Sequence, residues 1–219
     1  MTAFDIEQAR YNMIEQQIRT WDVLDPRVLK LLFAVRREEF VPPQHREIAF
    51  ADLEIPLSKN ARMWTPKMEA RVLQELTLKA DERVLEIGTG SGYFTALLAS
   101  QAHSVDTVEI DADLAASARE RLDRHQFRNV RAFEGDGARG FGDATYDVIV
   151  VTGSTPMLPQ RFIEQLKDKG RVFAVVGDPP VMEARLVTRR TPDATLSVNL
   201  FETVIAPLAN AAQPTRFQF

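Results

Sequence analysis

The chain has 219 residues, of which 45% are hydrophobic and 26% charged, and this suits one α/β domain with a modest extension. Its net charge of −4 argues against nucleic acid or an anionic membrane as the main partner, and the absence of cysteine excludes disulfides and cysteine-ligated metal sites. No apolar stretch has the length of a membrane span, and the first residues lack the basic start and apolar run of a signal peptide, so we expect a soluble, cytoplasmic protein.

The first part of the chain predicts helices followed by a loop. Apolar residues at helical spacing predict an amphipathic helix over residues 4–19. The pair Asp25-Pro26 supplies an N-cap and a proline at the first helical position, which predicts a second helix over residues 26–35. The charge run Arg36-Arg37-Glu38-Glu39 is interpreted as solvated. Residues 44–64 show little periodicity and are interpreted as a loop that crosses the domain.

From Thr65 onward, helix and strand patterns alternate, and Thr65-Pro66 opens a helix that runs through Leu76. The further predicted helices are 92–101, 112–125 and 159–167, and the predicted strands are 84–87, 104–109, 129–134, 147–152 and 171–176. This alternation is typical of a doubly wound, mostly parallel sheet. Two last strands, near 184–189 and 197–206, predict an antiparallel closing hairpin.

The strand at 84–87 leads into a glycine turn with Gly88, Gly90 and Gly92, and with Thr89 between the first two. The dinucleotide fingerprint is G-x-G-x-x-G, so the third glycine here comes one residue early. Glu86 precedes the turn, where a carboxylate would repel a pyrophosphate but suits a cationic sulfonium or ammonium group. This combination resembles motif I of class I S-adenosylmethionine-dependent methyltransferases.

The ends of the later strands supply further candidates, because ligands of open α/β sheets bind at the carboxyl ends of the strands. Glu109, followed by Ile110, is expected to accept hydrogen bonds from ribose hydroxyls; the alternatives are a solvated strand end or Asp111 in that role. In the turn Gly135-Asp136-Gly137, Asp136 is expected to accept from an adenine amino group. Thr152 is expected to face the transferred methyl group, or else to be an ordinary β-branched strand residue.

Further segments resemble the protein-L-isoaspartate O-methyltransferase family, over about residues 10 to 208. They are Met13–Ile18, Asp25–Leu29, Arg37–Pro42, Ala49–Asp52, Ile55-Pro56, Leu85–Tyr93, Gly135–Gly137, Val151-Thr152, Leu166-Lys167 and Gly170-Arg171. The resemblance implies a seven-stranded, Rossmann-like α/β fold with an N-terminal helical extension. It also implies S-adenosyl-L-methionine as cofactor, S-adenosyl-L-homocysteine as product, and methyl transfer to the α-carboxyl of L-isoaspartyl residues in aged proteins.

The resemblance predicts three parts of the chain. Residues 1–64 form a helical extension on the substrate side, residues 65–208 form the S-adenosylmethionine-binding domain, and residues 209–219 form a tail. The implied partner is a protein or peptide that carries a carboxylate. No nucleic acid or membrane partner is expected, and no metal is expected, because the three histidines show no metal-ligand spacing.

One segment departs from the family. Before the proline at position 66, the family carries Gly-x-Gly-Gln-Thr-Ile-Ser-x-Pro, whose serine and neighbours face the substrate carboxylate and the cofactor. Aligned without a gap, the family's glutamine falls on Ala61, its threonine on Arg62 and its active-site serine on Trp64. Thr65 could supply the missing hydroxyl if the loop shifts by one residue, and it is therefore the candidate catalytic residue.

The altered loop leaves the chemistry possible. A carboxylate is ionised at neutral pH and needs no general base to attack a sulfonium methyl group, so alignment of the reacting atoms is the main requirement. Arg62 could clamp a carboxylate; the alternative is that Arg62 and Lys59 decorate a solvated loop.

The leading hypothesis is an S-adenosylmethionine-dependent carboxyl O-methyltransferase of the isoaspartyl type. Its rival, based on the same altered loop, is a family member with another substrate or without catalysis, acting as a cofactor-binding sensor or interaction protein. A nucleic-acid methyltransferase is disfavoured by the acidic composition and by the absence of an Asp/Asn-Pro-Pro-aromatic motif after the fourth strand.

Overall fold

The structure is a computed structural model, and it describes residues 5–213. Its α-helices in chain order are α1 (Ile6–Asn12), α2 (Pro26–Ala34), α3 (Pro66–Leu76), α4 (Tyr93–Ala99), α5 (Ala112–Arg124) and α6 (Gln160–Glu164). Its strands are β1 (Ile55–Pro56), β2 (Arg62–Met63), β3 (Arg83–Ile87), β4 (Ser104–Glu109), β5 (Val130–Glu134), β6 (Tyr146–Thr155), β7 (Leu166–Asp178), β8 (Val181–Thr191) and β9 (Ala194–Glu202).

Seven strands form one sheet in the order β5-β4-β3-β6-β7-β8-β9. The pairs from β5 to β7 are parallel, whereas β8 pairs antiparallel with both β7 and β9. The predicted doubly wound, mostly parallel, seven-stranded sheet with an antiparallel closing hairpin is therefore confirmed. The chain runs outward from β3 to β5 and then returns to β6 on the other side of β3. This switch in strand order opens a crevice at the carboxyl ends of β3 and β6, where ligands of such sheets bind.

Two apolar clusters pack against the sheet. Val84 belongs to the first and its neighbour Leu85 to the second, because successive side chains of a strand point to opposite faces. The first cluster continues into the N-terminal part of the chain through Met13 and Leu29, and into α3 through Met68. The segment before residue 65 therefore shares its core with the sheet, while the domain boundary at residues 64 and 65 stays a prediction.

Several element boundaries differ from the predicted ones. The helix predicted over 4–19 is α1 followed by a π-helical turn (Met13–Ile18) and a 3-10 turn (Arg19–Trp21), and residue 4 lies outside the described residues. Within the predicted loop, a 3-10 turn (Pro43–Ile48) and the short antiparallel hairpin of β1 and β2 are present. The helix predicted over 159–167 is shorter, because β7 already begins at Leu166. Of the predicted tail, residues 214–219 lie outside the described residues.

The prediction that the charge run at residues 36–39 is solvated is wrong for its two central residues. Arg37 is 1% exposed and Glu38 is 6% exposed. Each has a charged partner from another element: Glu38 binds Arg10 of α1, and Arg37 binds Glu69 of α3. Paired and hydrogen-bonded charges can be buried where isolated charges cannot, so burial here depends on partners that are distant in the sequence.

Candidate active site

A cavity of about 720 Å³ lies at the carboxyl ends of the parallel strands, at the switch in strand order. A volume of this size is typical of small-molecule and cofactor sites. Nine residues predicted to bind cofactor line it: Gly88, Thr89, Gly90, Glu109, Ile110, Gly135, Asp136, Gly137 and Thr152. Three other predicted site residues, Thr65, Glu86 and Gly92, are not among its lining residues.

Gly88 of the glycine turn lies in the cavity lining, where no side chain fits between it and Thr152. This residue has a φ of +96°, and a Cβ at this position would lie 2.2 Å from Thr152 Oγ1. The Thr152 hydroxyl lies 2.8 Å from the carbonyl oxygens of both Ile87 and Gly88, to which it donates. The ends of β3 and β6 are therefore joined beneath bare backbone, which a ligand can approach closely.

Gly92 has a different role from the first two glycines. It caps α4 with a φ of +83°, and a Cβ there would lie 3.4 Å from Ala118 Cβ of α5. The third glycine of the motif therefore allows the left-handed backbone and the close approach of two helices.

Glu109, at the end of β4, accepts hydrogen bonds from two backbone amides at the cavity. Its Oε2 accepts a hydrogen bond from Gly90 N at 2.8 Å, and its Oε1 accepts from Asp111 N at 3.1 Å. Each carboxylate oxygen has more than one acceptor site, so Glu109 can still accept hydrogen bonds from a ligand that carries neighbouring hydroxyls.

Asp136 joins the end of β5 to the segment after β9. Its Oδ1 accepts from Ala138 N at 2.9 Å, and its Oδ2 accepts from Asn210 Nδ2 at 3.0 Å. Residues 206–209, next to Asn210, line the cavity. No sequence pattern predicts this contribution, because the segment has no periodicity and no turn motif.

Glu86 lies beside the cavity rather than in its lining, and it is fully buried. Its Oε2 accepts from Thr95 Oγ1 at 2.5 Å and from Thr107 Oγ1 at 2.7 Å, while its Oε1 has no hydrogen-bond partner among the described residues. Burial raises the pKa of Glu86 to about 8, and the two threonine hydroxyls oppose this shift.

The Glu86 carboxyl also orients a hydroxyl in the cavity. Thr107 gives its single proton to Glu86, so in the 2.6 Å contact between Thr107 and Thr89 the donor is Thr89. The Thr89 hydroxyl, which lines the cavity, is then left as an acceptor. A ligand group that donates hydrogen bonds, such as an ammonium or a hydroxyl, would match it.

The hairpin of β1 and β2 covers the other side of the cavity. Residues 57–64 all line it, and Leu57 Cδ1 would lie 3.1 Å from a Cβ on Gly90. Trp64 is only 6% exposed and packs against Phe94 and Phe173, at ring-centroid distances of 5.2 and 6.0 Å. The indole therefore fills the wall of the cavity at the position where the resemblance implies a serine.

Arg37 and Glu69 form a buried pair next to this wall, and neither is predicted as a site residue from the sequence. Arg37 donates to Glu69 Oε2, to Ala49 O at 2.8 Å and to Trp64 O at 2.6 Å. Glu69 is 2% exposed and lines the cavity. One signal was available for Glu69: it shares the apolar face of α3 with Val72, Leu73 and Leu76, where a carboxylate is out of place.

Thr65, the predicted catalytic residue, is the N-cap of α3. Its Oγ1 accepts from Met68 N at 3.3 Å. We expect Thr65→Ala to lower the free energy of unfolding by about 1 kcal/mol, because one amide at the helix start loses its acceptor. Thr65→Ser keeps the acceptor and serves as the control. Urea unfolding followed by circular dichroism measures both, and equal stability of the two variants would contradict the capping role.

The residues present fit S-adenosylmethionine. Gly88 lines the cavity with bare backbone, at a position where a Cβ would clash with Thr152 Oγ1. Glu109 and Asp136 supply acceptors at the ends of β4 and β5, while Glu69 supplies a carboxyl from α3. An arrangement dominated by carboxylates suits a ligand with hydroxyl, amino and cationic groups better than it suits a pyrophosphate.

Comparisons with known proteins show similarity over most of the chain. The family model described as Protein-L-isoaspartate(D-aspartate) O-methyltransferase matches residues 8–213. A Myxococcus xanthus protein named protein-L-isoaspartate O-methyltransferase is 44% identical over 156 residues, 71% of this chain and 74% of that relative. A Geotalea uraniireducens protein named protein-L-isoaspartate O-methyltransferase 1 is 38% identical over 204 residues, 92% of this chain and 91% of that relative.

Solved structures show the same fold. A Plasmodium falciparum structure, solved in complex with S-adenosyl-L-homocysteine and described as a protein-L-isoaspartate O-methyltransferase, matches with a TM-score of 0.78. It is 18% identical, and the match covers 94% of this chain and 98% of that one. The family match and the two relatives establish the family as well as the fold. The chain therefore belongs to the protein-L-isoaspartate(D-aspartate) O-methyltransferase family, whose members are S-adenosylmethionine-dependent carboxyl O-methyltransferases.

Proposed function

We propose that this chain methylates the α-carboxyl of L-isoaspartyl residues in damaged proteins, using S-adenosylmethionine bound at the carboxyl ends of β3, β4 and β5. The observation that carries the proposal is the asymmetry of the cavity. Its strand-end side presents Glu109 and Asp136, and its other side is formed by a hairpin that carries Lys59 and Arg62. A cofactor with hydroxyl and amino donors suits the first side, and a carboxylate substrate suits the second.

The cofactor contacts in this proposal use acceptor side chains, exposed backbone and two further side chains of the cavity lining. Glu109 would accept from the ribose hydroxyls, and Asp136 would accept from the adenine amino group. Gly88 and Gly90 would let the backbone approach the ligand, with Gly135 and Gly137 flanking Asp136. Ile110 would contact the adenosine, and Thr152, whose proton is given to backbone carbonyls, would border the transferred methyl group.

The substrate carboxylate that receives the methyl group would contact the hairpin. The side chains of Arg62 and Lys59 are exposed, and neither side chain makes an ion pair or hydrogen bond within residues 5–213. Burial raises the pKa of nearby Glu54, and the charge of Arg62 opposes this shift. The cofactor supplies a methyl group on a sulfonium sulfur. Arg62 would hold the acceptor carboxylate in line with it, and no general base is needed because that carboxylate is already ionised.

The test of this function uses a synthetic isoaspartyl peptide, its normal aspartyl counterpart and labelled S-adenosylmethionine. We expect methyl transfer to the isoaspartyl peptide alone. Calorimetry with S-adenosyl-L-homocysteine, run in parallel, establishes that the cofactor site is intact. Binding without transfer to either peptide would contradict the proposed substrate and would favour a sensor role.

Arg62→Gln is expected to raise KM for the isoaspartyl peptide about tenfold or more, with a smaller change in kcat. The physical reason is the loss of a charge-assisted hydrogen bond that is made to bound substrate and transition state alike. Arg128→Gln is the matched control, because Arg128 is exposed and comes just before β5, at the opposite end of the strands from the cavity. A KM unchanged by Arg62→Gln would assign Arg62 to a solvated loop.

Two further predictions stay proposals. A hydroxyl has one proton and two acceptor sites, so the capping bond from Met68 N leaves Thr65 able to contact a substrate; reduced kcat in Thr65→Ala at equal folded fraction would support a catalytic role. No helix within residues 5–213 is long and apolar enough to cross a bilayer, and the cytoplasmic location remains a prediction that localisation of the tagged protein would test.

A further inference from the structure

The acidic side chains in the cavity lie at two separate places. Among its lining residues, Glu109, Asp111 and Asp136 are found at or just after the ends of β4 and β5. Glu69 alone comes from α3, next to Trp64 and the hairpin. Between the two places lies the glycine turn. If the adenosine part of the cofactor occupies the strand-end side, as in the proposed function, its amino-acid part extends over Gly88 and Gly90 toward Glu69.

Glu69 is held more firmly than a surface carboxylate. It is 2% exposed and binds Arg37, whose other nitrogens donate to the carbonyl oxygens of Ala49 and Trp64. Arg37 is therefore fixed by three separate segments of the chain. A buried ion pair of this kind is weak evidence for stability, since burying both charges costs about as much as their attraction returns. Its position in a cavity wall points instead to a ligand.

The amino-acid part of the cofactor carries an ammonium group that needs acceptors. Glu86, the carboxyl predicted from the sequence to meet a cation, is fully buried and is not in the lining. Glu86 acts indirectly, because it accepts the proton of Thr107 and so leaves the Thr89 hydroxyl as an acceptor at the cavity surface. Glu69 is the carboxyl present in the lining at this end.

We propose that Glu69 binds the ammonium group of the cofactor's amino-acid part, with Thr89 as a second acceptor and Arg37 as the positioning residue that holds Glu69 in place. This inference rests on the proposed function for the placement of the adenosine. It assigns Glu86 to the support of Thr89 rather than to direct contact with the cation.

The experiment compares two ligands that differ only at the amino-acid part. S-adenosyl-L-homocysteine carries the ammonium, and 5′-methylthioadenosine lacks the whole amino-acid portion. Calorimetry measures the Kd of each for the wild-type chain, for Glu69→Gln and for the control Glu75→Gln, which alters a carboxyl farther along α3 that is not in the cavity lining. We expect Glu69→Gln to weaken S-adenosyl-L-homocysteine about 10- to 100-fold, the loss of one charge-assisted bond, and to leave 5′-methylthioadenosine nearly unchanged.

The outcomes distinguish failure of this inference from failure of the proposed function. Equal weakening of both ligands would make Glu69 a structural residue, and no weakening of either would remove it from the site; each result overturns the inference. Failure of 5′-methylthioadenosine to bind the wild-type chain would instead overturn the proposed adenosine site, and the inference with it.

A second measurement covers the case in which Glu69→Gln does not fold. The wild-type chain is titrated with the deaminated analogue of S-adenosyl-L-homocysteine, in which hydrogen replaces the amino group. We expect this analogue to bind about 10- to 100-fold more weakly than the parent compound, and we expect a smaller difference in Glu69→Asp, whose carboxyl is withdrawn from the cavity. Equal affinity of the two compounds for the wild-type chain would overturn the inference.

Discussion

Replacing Arg37 with methionine is expected to lower the free energy of unfolding by about 3–5 kcal/mol, the usual cost of removing one partner of a buried ion pair. The variant leaves the Glu69 carboxyl buried without its cation and leaves the carbonyl oxygens of Ala49 and Trp64 without their donor. Methionine keeps most of the side-chain volume, so a cavity is not the cause. Urea unfolding of the cofactor-free protein, followed by circular dichroism, measures the loss.

Two comparisons make this prediction specific. Arg19→Met removes an exposed i,i+4 pair with Glu15 and is expected to cost less than about 1 kcal/mol. The double variant Arg37→Met/Glu69→Leu removes both buried charges, and we expect it to recover much of the stability lost in the single variant. If Arg37→Met were no more harmful than Arg19→Met, the burial of the pair would not be what makes Arg37 important.

The sheet could be predicted because its signals are local. The residues from Val84 to Ile87 predict a buried strand without reference to the rest of the chain. The glycines at 88 and 90 predict a turn whose backbone comes close to another group. The carboxyl ends of parallel strands meet at one edge of a sheet, so the sequence alone predicts that the strand-end residues Glu109 and Asp136 lie close together.

The wall opposite the strand ends could not be predicted in the same way. Arg37 looks solvated in its own charge run, and only the distant Glu69 and the carbonyl oxygen of Trp64 explain its burial. The hairpin has strands of two residues each, too short for any periodicity to show. Glu86 precedes the glycine turn, but its side chain binds Thr95 and Thr107, and a strand pattern does not reveal which hydroxyls lie on a neighbouring element.

The stability of the cofactor-free protein is expected to fall between pH 5 and pH 8 by a contribution from Glu86 on the order of a few kcal/mol. Burial raises the pKa of this carboxyl from 4.5 to about 8, whereas the unfolded chain keeps the lower value. The folded state therefore holds the proton more tightly, and its advantage is complete below pH 4.5 and is lost as the pH rises to about 8. Chemical unfolding at several pH values measures this slope.

Glu86→Gln isolates the contribution, because the amide carbonyl can still accept from Thr95 and Thr107 but does not ionise. We expect the variant to gain stability relative to the wild type steadily from pH 5 to pH 8. Glu69 and Glu109 are the charged groups that interact with Glu86, and both are present in the two proteins, so their own titration largely cancels in the difference. Glu120→Gln, at an exposed site on α5, should follow the wild-type curve. A Glu86→Gln curve parallel to the wild-type curve would contradict the prediction. It would mean that the Glu86 carboxyl is already ionised in the folded protein, so that a carboxylate persists beneath the glycine turn before any cation is bound.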